Sequence, residues 1–243
     1  MTLPSARLMS EPFSTAFYFG PQRQSRRYES QKIDPNGNYD DVAKAILDQA
    51  NDDSIDLVFV KDMAYYLRGR LGLLKELSLF RDARHSFLIR EPRKAIPSLY
   101  RASQNTEIRS SGWDYFDPDE AGFKELYEMY AFVKENLDPN PVVVEADDLI
   151  GSPKEIMKAY CDGVGIKYEE GMTSWKAGEV PEPWRDGWVQ AWRKGAINSS
   201  GFTKASMRTP GESEVEYPSD VIKVIEESKP FYEKLACAKI RLV

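Results

Sequence analysis

The sequence predicts an α/β fold: a three-layer sandwich on a mostly parallel sheet. Three observations predict it. The apolar runs Ile55 to Val60, Arg84 to Ile89 and Pro141 to Glu145 are continuous rather than alternating, the pattern of strands buried on both faces. Helical stretches separate them, so the strands need crossover connections and run parallel. A chain of 243 residues can build one sizeable core, so residues 1–243 read as one α/β domain.

Met1 to Ser10 shows neither strand nor helix periodicity. Glu11 to Pro21 is aromatic-rich and framed by two prolines, with the basic residues Arg23, Arg26 and Arg27 after it. Asp34 to Tyr39 is a turn cluster, and Asp40 to Ala50 a helix with its face at Val42, Ala43, Ile46 and Leu47. The strand Ile55 to Val60 ends on the charge pair Lys61-Asp62, and Met63 to Leu79 is loosely helical. After the strand ending at Ile89 comes a helix that fades near Ser103, then an aromatic loop from Ser110 to Pro118. Asp119 is expected to cap a helix with its apolar face at Phe123, Leu126, Tyr127, Tyr130 and Val133. The three valines before Glu145 form the next strand. Ser152-Pro153-Lys154-Glu155 has the form of a capping box, opening a helix that runs to about Gly163. Met172 to Gly201 reads as irregular, with Trp175, Trp184, Trp188 and Trp192. Ser219 caps a last helix, which Pro230 is expected to kink.

Composition narrows the function classes. The 39 acidic residues exceed the 33 basic ones, which argues against a nucleic-acid-binding surface. Cys161 and Cys237 sit in apolar helical patterns and read as buried free thiols; with the lone His85 they cannot assemble a metal cluster. No apolar run is long enough to span a membrane and no leader pattern is visible, so a soluble, cytoplasmic protein is expected.

The most informative stretch runs from His85 to Arg101. Its apolar half stops on Arg90, and Pro92 turns the chain out of the sheet. Arg90 is thereby placed at the carboxyl end of a strand, where open α/β sheets bind ligands. Ser98 follows about two turns into the next helix. A guanidinium and a hydroxyl delivered to one crevice suit a phosphate or sulfate group. The plainer alternative is an Arg paired with a carboxylate and a Ser facing solvent. His85 precedes its strand, points to the opposite end of the sheet, and reads as structural.

Arg90-Glu91-Pro92-Arg93-Lys94 with Ser98 resembles the segment of sulfotransferases that holds the 3′-phosphate of 3′-phosphoadenosine 5′-phosphosulfate. Arg193-Lys194-Gly195 resembles the second element of that site. Glu11-Pro12-Phe13, Tyr18-Phe19-Gly20-Pro21, Phe59-Val60-Lys61-Asp62-Met63 and Val144-Glu145-Ala146-Asp147-Asp148-Leu149 resemble, in order and over most of the chain, the sulfotransferase-like branch of the P-loop superfamily. The resemblance implies that fold, without its first strand and 5′-phosphosulfate-binding loop. Such a loop, of the type Pro-Arg-Ser-x-Ser-Thr between a strand and a helix, binds the phosphosulfate through backbone N–H groups and hydroxyls. Only ten residues precede Glu11, too few for strand, turn and helix together. Ser14-Thr15-Ala16 is similar to such a turn, but the Tyr-Phe-Gly-Pro after it sets the segment downstream of the loop's place. Coding sequence upstream of Met1 is the alternative source of the loop. The family's usual base, a histidine after the second strand, is replaced by Ala64-Tyr65-Tyr66, and a phenol of pKa about 10 is a poor base at neutral pH.

Three functions follow as expectations. The first is a cofactor-independent enzyme acting on an apolar, natural-product-like molecule of secondary metabolism by cyclisation, pericyclic chemistry included, or isomerisation. Lys61, Tyr65, Tyr66 and Arg90 would be its hydrogen-bond donors, and Glu11, Phe13, Phe17, Tyr18, Phe19 and Trp113 its substrate contacts. The plain alternative for the aromatics is core packing. The second is an active sulfotransferase of a small-molecule hydroxyl, using the donor nucleotide through Arg90, Ser98, Arg193, Lys194 and Gly195. The third is a non-catalytic module, a homodimer formed over an exposed edge strand.

Overall fold

The computed structural model describes residues 6–180, 187–202 and 216–242. The chain divides into two compact units between Ala83 and Arg84. Each carries one pair of parallel strands, so the predicted parallel sheet is present as two pairs.

In the first unit β1 (Ala6–Ser10) pairs with β2 (Leu57–Lys61), Ala6 opposite Leu57 and Ser10 opposite Lys61. A strand therefore lies before Glu11, which corrects three expectations: Met1 to Ser10 as patternless, the first strand as missing, and Ser14-Thr15-Ala16 as downstream of the strand–turn–helix it in fact belongs to. With Arg7 exposed and Ser10 at its end, β1 has no continuous apolar run, and its pairing comes from a distant segment. The turn and helix after it are the Glu11 segment itself, leading into α1 (Ser14–Tyr18). Helix α2 (Tyr39–Ala50) starts at Asn38, whose side-chain oxygen accepts the Asp41 N–H at 2.8 Å. It buries Val42, Ala43 and Ile46 of its expected face. A 3₁₀ turn at Ala64–Leu67 and the short helices α3 (Leu73–Glu76) and α4 (Ser78–Asp82) complete the unit. At Gly20 an added Cβ would lie 2.0 Å from the Gly37 carbonyl oxygen, so two turns meet there backbone to backbone.

In the second unit β3 (Ser86–Ile89) pairs with β4 (Val142–Glu145), Ile89 opposite Glu145. Pro92 opens α5 (Pro92–Gln104), a position where its missing N–H costs nothing. There follow α6 (Thr106–Arg109), α7 (Phe123–Asn136), α8 (Ala146–Gly151), α9 (Pro153–Val164), α10 (Gly187–Ile197) and α11 (Ser219–Ala236). Helix α11 packs on α5 and α7, and Ile96, Phe123, Val221, Val224 and Ile225 form the core between them.

Several local expectations are corrected. Gly122, with φ 69°, starts α7, while Asp119 sits in a preceding 3₁₀ turn that Asp117 caps. Ser152 precedes α9, but its hydroxyl makes no capping bond, and the helix runs on to Val164 before Gly165 at φ 75° ends it. Pro218 precedes α11, and Ser219 is its first helical residue. Pro230 lies inside the helix, as the sequence places it, and the helix continues past it to Ala236. The stretch from Met172 to Gly201 contains α10, whose glycines and tryptophans obscure its period. Trp184 and the side chain of Trp188 lie outside the described residues. Cys161 is buried, but Cys237 follows the end of α11 and is exposed. No helix among the described residues is long and apolar enough to cross a membrane.

Candidate functional site

The ends of β1 and β2 bring together Glu11, Lys61, Asp62 and Tyr66. Glu11 follows β1 at φ 57°, a left-handed conformation that is uncommon for a side-chain-bearing residue. Its Oε1 accepts from Lys61 Nζ at 2.5 Å and its Oε2 from the Tyr66 hydroxyl at 3.0 Å. Glu11 and Lys61 remain partly exposed, while Tyr66 is buried. Burial pushes the Tyr66 phenol well above its ordinary range, with Tyr65, Tyr18 and Glu11 adding to the rise, so it acts as a donor. Lys61 Nζ also meets the Met63 sulfur at 3.2 Å, and the hydroxyls of Tyr65 and Tyr18 lie 3.4 Å apart.

Asp62 completes this end. Its two oxygens accept the backbone N–H groups of Phe13 and Met63, each at 3.0 Å. Burial nevertheless raises its carboxyl to about 7, Glu11 adding to the rise and the two N–H groups and Lys61 opposing it. The sequence shows Asp62 only as half of a charge pair ending a strand. Its role depends on the turn that folds over it.

The backbone donors of the turn after β1 are bonded within the chain. Glu11 N donates to the Lys61 carbonyl, Phe13 N to Asp62, Ser14 N to the Glu11 carbonyl and Thr15 N to the Pro12 carbonyl; Pro12 has no N–H. The turn spends its donors on the chain itself, one of them on a carboxylate, and a second carboxylate stands beside it.

The aromatic candidates divide. Phe13, Phe17, Tyr18, Tyr65 and Tyr66 are each less than 5% exposed, and the Phe17 ring meets those of Tyr18, Tyr65 and Tyr66 at 4.9–5.3 Å. Phe19 is half-buried and stacks near Tyr28 at 4.8 Å. Trp113 belongs to the second unit, where it meets Trp192 edge-on at 4.7 Å.

The second unit collects Arg90, Glu91, Lys94, Glu145, Asp147 and Asp148 at the carboxyl ends of β3 and β4. The Glu145 side chain is buried and caps α8, its Oε2 accepting from the N–H groups of Asp147 and Asp148 at 2.9 and 3.1 Å. Burial raises its carboxyl above the ordinary value, and neighbouring Asp147 and Asp148 add to the rise. Lys94 binds Asp147, and Lys239 binds Asp148 at 2.6 Å. The Tyr232 phenol is pushed to about 12 by burial first and then by Glu145, Glu91, Asp147 and Asp148. Of the nucleotide-site candidates, Ser98 lies half-buried on α5, while Arg193, Lys194 and Gly195 lie on α10, with Lys194 paired to Glu107 at 3.1 Å. The sequence reading missed the site roles of Asp62, Glu145, Asp147 and Tyr232, although Asp62, Glu145 and Asp147 lie in segments that carry the resemblance.

A family model described as a sulfotransferase domain matches residues 3–237. Two Arabidopsis thaliana proteins, branched-chain-amino-acid aminotransferase-like proteins 1 and 2, are each 29% identical to the chain over 165 and 168 residues, or 68% and 69% of it. The chain spans about a quarter (26%) of the length of these curated relatives. A solved sulfotransferase domain from the curacin biosynthetic pathway aligns with TM-score 0.47 and 12% identity, covering 77% of this chain and 66% of that one. Strand-end segments in the family's order, within a match reaching from residue 3 to residue 237, make this chain a member of the sulfotransferase domain family.

Proposed function

We propose that this chain is a sulfotransferase-family enzyme that works without the sulfuryl donor, acting on an apolar, natural-product-like small molecule by cyclisation, pericyclic chemistry included, or isomerisation. The observation that carries the reading is the Glu11 carboxylate held between the Lys61 ammonium and the Tyr66 phenol, at a strand end where α/β sheets bind ligands. A substrate carbonyl arriving beside Glu11 would take a hydrogen bond from Lys61, whose ammonium has donors to spare, and one from the Tyr66 hydroxyl as it turns from Glu11. Such reactions gain from an enforced conformation and from donors aimed at developing negative charge. The turn that spends its N–H groups internally supports a site built for something other than a phosphosulfate. Arg90, the fourth candidate donor, belongs to the second unit.

A second reading, sulfuryl transfer from 3′-phosphoadenosine 5′-phosphosulfate to a small-molecule hydroxyl, draws its support from the family match. Isothermal titration with that nucleotide, paired with a sulfuryl-transfer assay, separates the two. The first reading expects no saturable micromolar binding and no transfer, with an apolar ligand retained in native mass spectra. Micromolar binding with transfer establishes the second and sinks the first.

A further inference from the structure

Tyr39 touches both arms of the Glu11–Lys61–Tyr66 site without belonging to either. It opens α2 and is 1% exposed, and its phenol is bonded within the chain. The hydroxyl donates to the Tyr66 carbonyl oxygen at 2.7 Å. Gln24 Nε2 donates into the same hydroxyl at 3.2 Å and into the Arg68 carbonyl at 3.1 Å. A hydroxyl that accepts from Gln24 keeps its own proton for Tyr66, so the direction of the bond is set. Burial pushes the phenol above its ordinary range, with Gln24 and Arg70 opposing, so that proton stays in place.

The ring meets the other arm. It stacks on Phe13 with centroids 6.0 Å apart and planes 25° from parallel, and the Arg70 guanidinium lies 4.4 Å from its centroid. Phe13 is two residues after Glu11, and its N–H is bonded to Asp62. The turn carrying Glu11 therefore rests on the Tyr39 ring, while the 3₁₀ turn carrying Tyr66 hangs from the Tyr39 hydroxyl. Between the two arms the Tyr66 phenol donates to Glu11 Oε2 at 3.0 Å. Phenylalanine would make the same ring contacts. A buried hydroxyl costs desolvation that a packing residue does not, and what it returns is a fixed backbone at Tyr66.

We propose that Tyr39 is a positioning residue of the Glu11–Lys61–Tyr66 site, its hydroxyl holding the Tyr66 turn where the Tyr66 phenol reaches Glu11. Tyr39 acts through Tyr66 and touches no reacting atom. The catalytic consequence rests on the proposed function, whereas the brace itself does not. A displacement of about 1 Å is enough to cost roughly a hundredfold in rate, so a bond to the donor residue's own backbone is an effective control.

The test uses the full chain labelled with carbon-13 at tyrosine Cζ. The Tyr66 resonance is identified by its loss in Tyr66→Phe, and Glu11→Ala shows where it lies once the acceptor is gone. Tyr39→Phe should move it at least about half the way to that position. Ile46→Val, a buried change on the same helix that removes no hydroxyl, should leave it at the parent's position. If Tyr39→Phe does not fold, Gln24→Ala, at an exposed side chain, takes its place and should move the signal the same way. On any substrate that the parent converts, Tyr39→Phe should lower kcat about tenfold with KM little changed, and should add nothing to Tyr66→Phe. A Tyr66 signal unmoved by Tyr39→Phe, unmoved by Glu11→Ala, or moved equally by Ile46→Val overturns the proposal. So does turnover lost in Tyr66→Phe but kept in Tyr39→Phe. A signal that moves as expected while Tyr66→Phe keeps full turnover supports the brace and overturns the functional reading of the site instead.

Discussion

Asp62 Oδ2 accepts the backbone N–H of Phe13 at 3.0 Å, joining the end of β2 to the turn after β1. The same carboxyl accepts from Met63, so both of its oxygens act as receivers for fixed donors. That bond fastens the turn carrying Glu11, and the cost is a desolvated acid.

The cost sets a pH dependence. Burial raises the carboxyl from 3.8 to about 7, so between those values the folded chain holds a proton that the unfolded chain releases. The resulting stability is fully present below about pH 4 and is lost as pH rises through about 7. Asp62→Asn cannot ionise and should escape that loss. Urea melts across this range should show the variant gaining on the parent by roughly 2–4 kcal/mol as pH rises. Parallel stability profiles for the two proteins would show that Asp62 titrates normally.

Tyr66→Phe removes one hydroxyl and the bond to Glu11 while keeping the ring contacts. Its stability should change by no more than about 1 kcal/mol. Under the proposed function, turnover should fall roughly tenfold to a hundredfold with KM little changed, because the lost donor acts on developing charge. Lys61→Ala should lower turnover similarly. Unchanged turnover in both variants, measured on any substrate the parent converts, rules out this end as the reacting site.

Much of the fold was legible because buried strands announce themselves locally. Leu57–Lys61, Ser86–Ile89 and Val142–Glu145 all fall on the expected apolar runs. Ala6–Ser10 does not, because it is a strand through its pairing with β2 rather than through its own pattern. The site divides the same way. Lys61 and Arg90 were readable as charges ending apolar strands, Glu11 through a segment that resembles the family, and Tyr66 through the position of the family's usual histidine. Asp62 and Tyr232 draw their properties from burial and from carboxylates supplied by other elements, and no local pattern records that.

Gly20 offers a test of packing alone. A Cβ there would sit 2.0 Å from the Gly37 carbonyl oxygen and 3.1 Å from that of Ala16. Backbone atoms cannot step aside as a flexible side chain can, so Gly20→Ala must part the two turns. The expected cost is about 2–4 kcal/mol, a melting shift of several degrees by scanning calorimetry. A melting point within about one degree of the parent contradicts the close approach.

The aromatic set can be sorted by comparing Phe17→Leu with Phe19→Leu. Phe17 is 2% exposed and its ring meets Tyr18, Tyr65 and Tyr66, so its loss removes three ring contacts and leaves a gap. A destabilisation of about 1–3 kcal/mol is expected. Phe19 is half-buried beside Tyr28 and carries less of the packing, so its replacement should cost about 1 kcal/mol or less. If Phe19 contacts substrate, Phe19→Leu raises KM while the melting point stays near that of the parent. Phe17→Leu should do the reverse, lowering the melting point with KM intact. Should both variants lose only stability, the Phe19 ring is core like its neighbour, and the substrate surface has to be sought among the half-exposed groups beside Glu11 and Lys61.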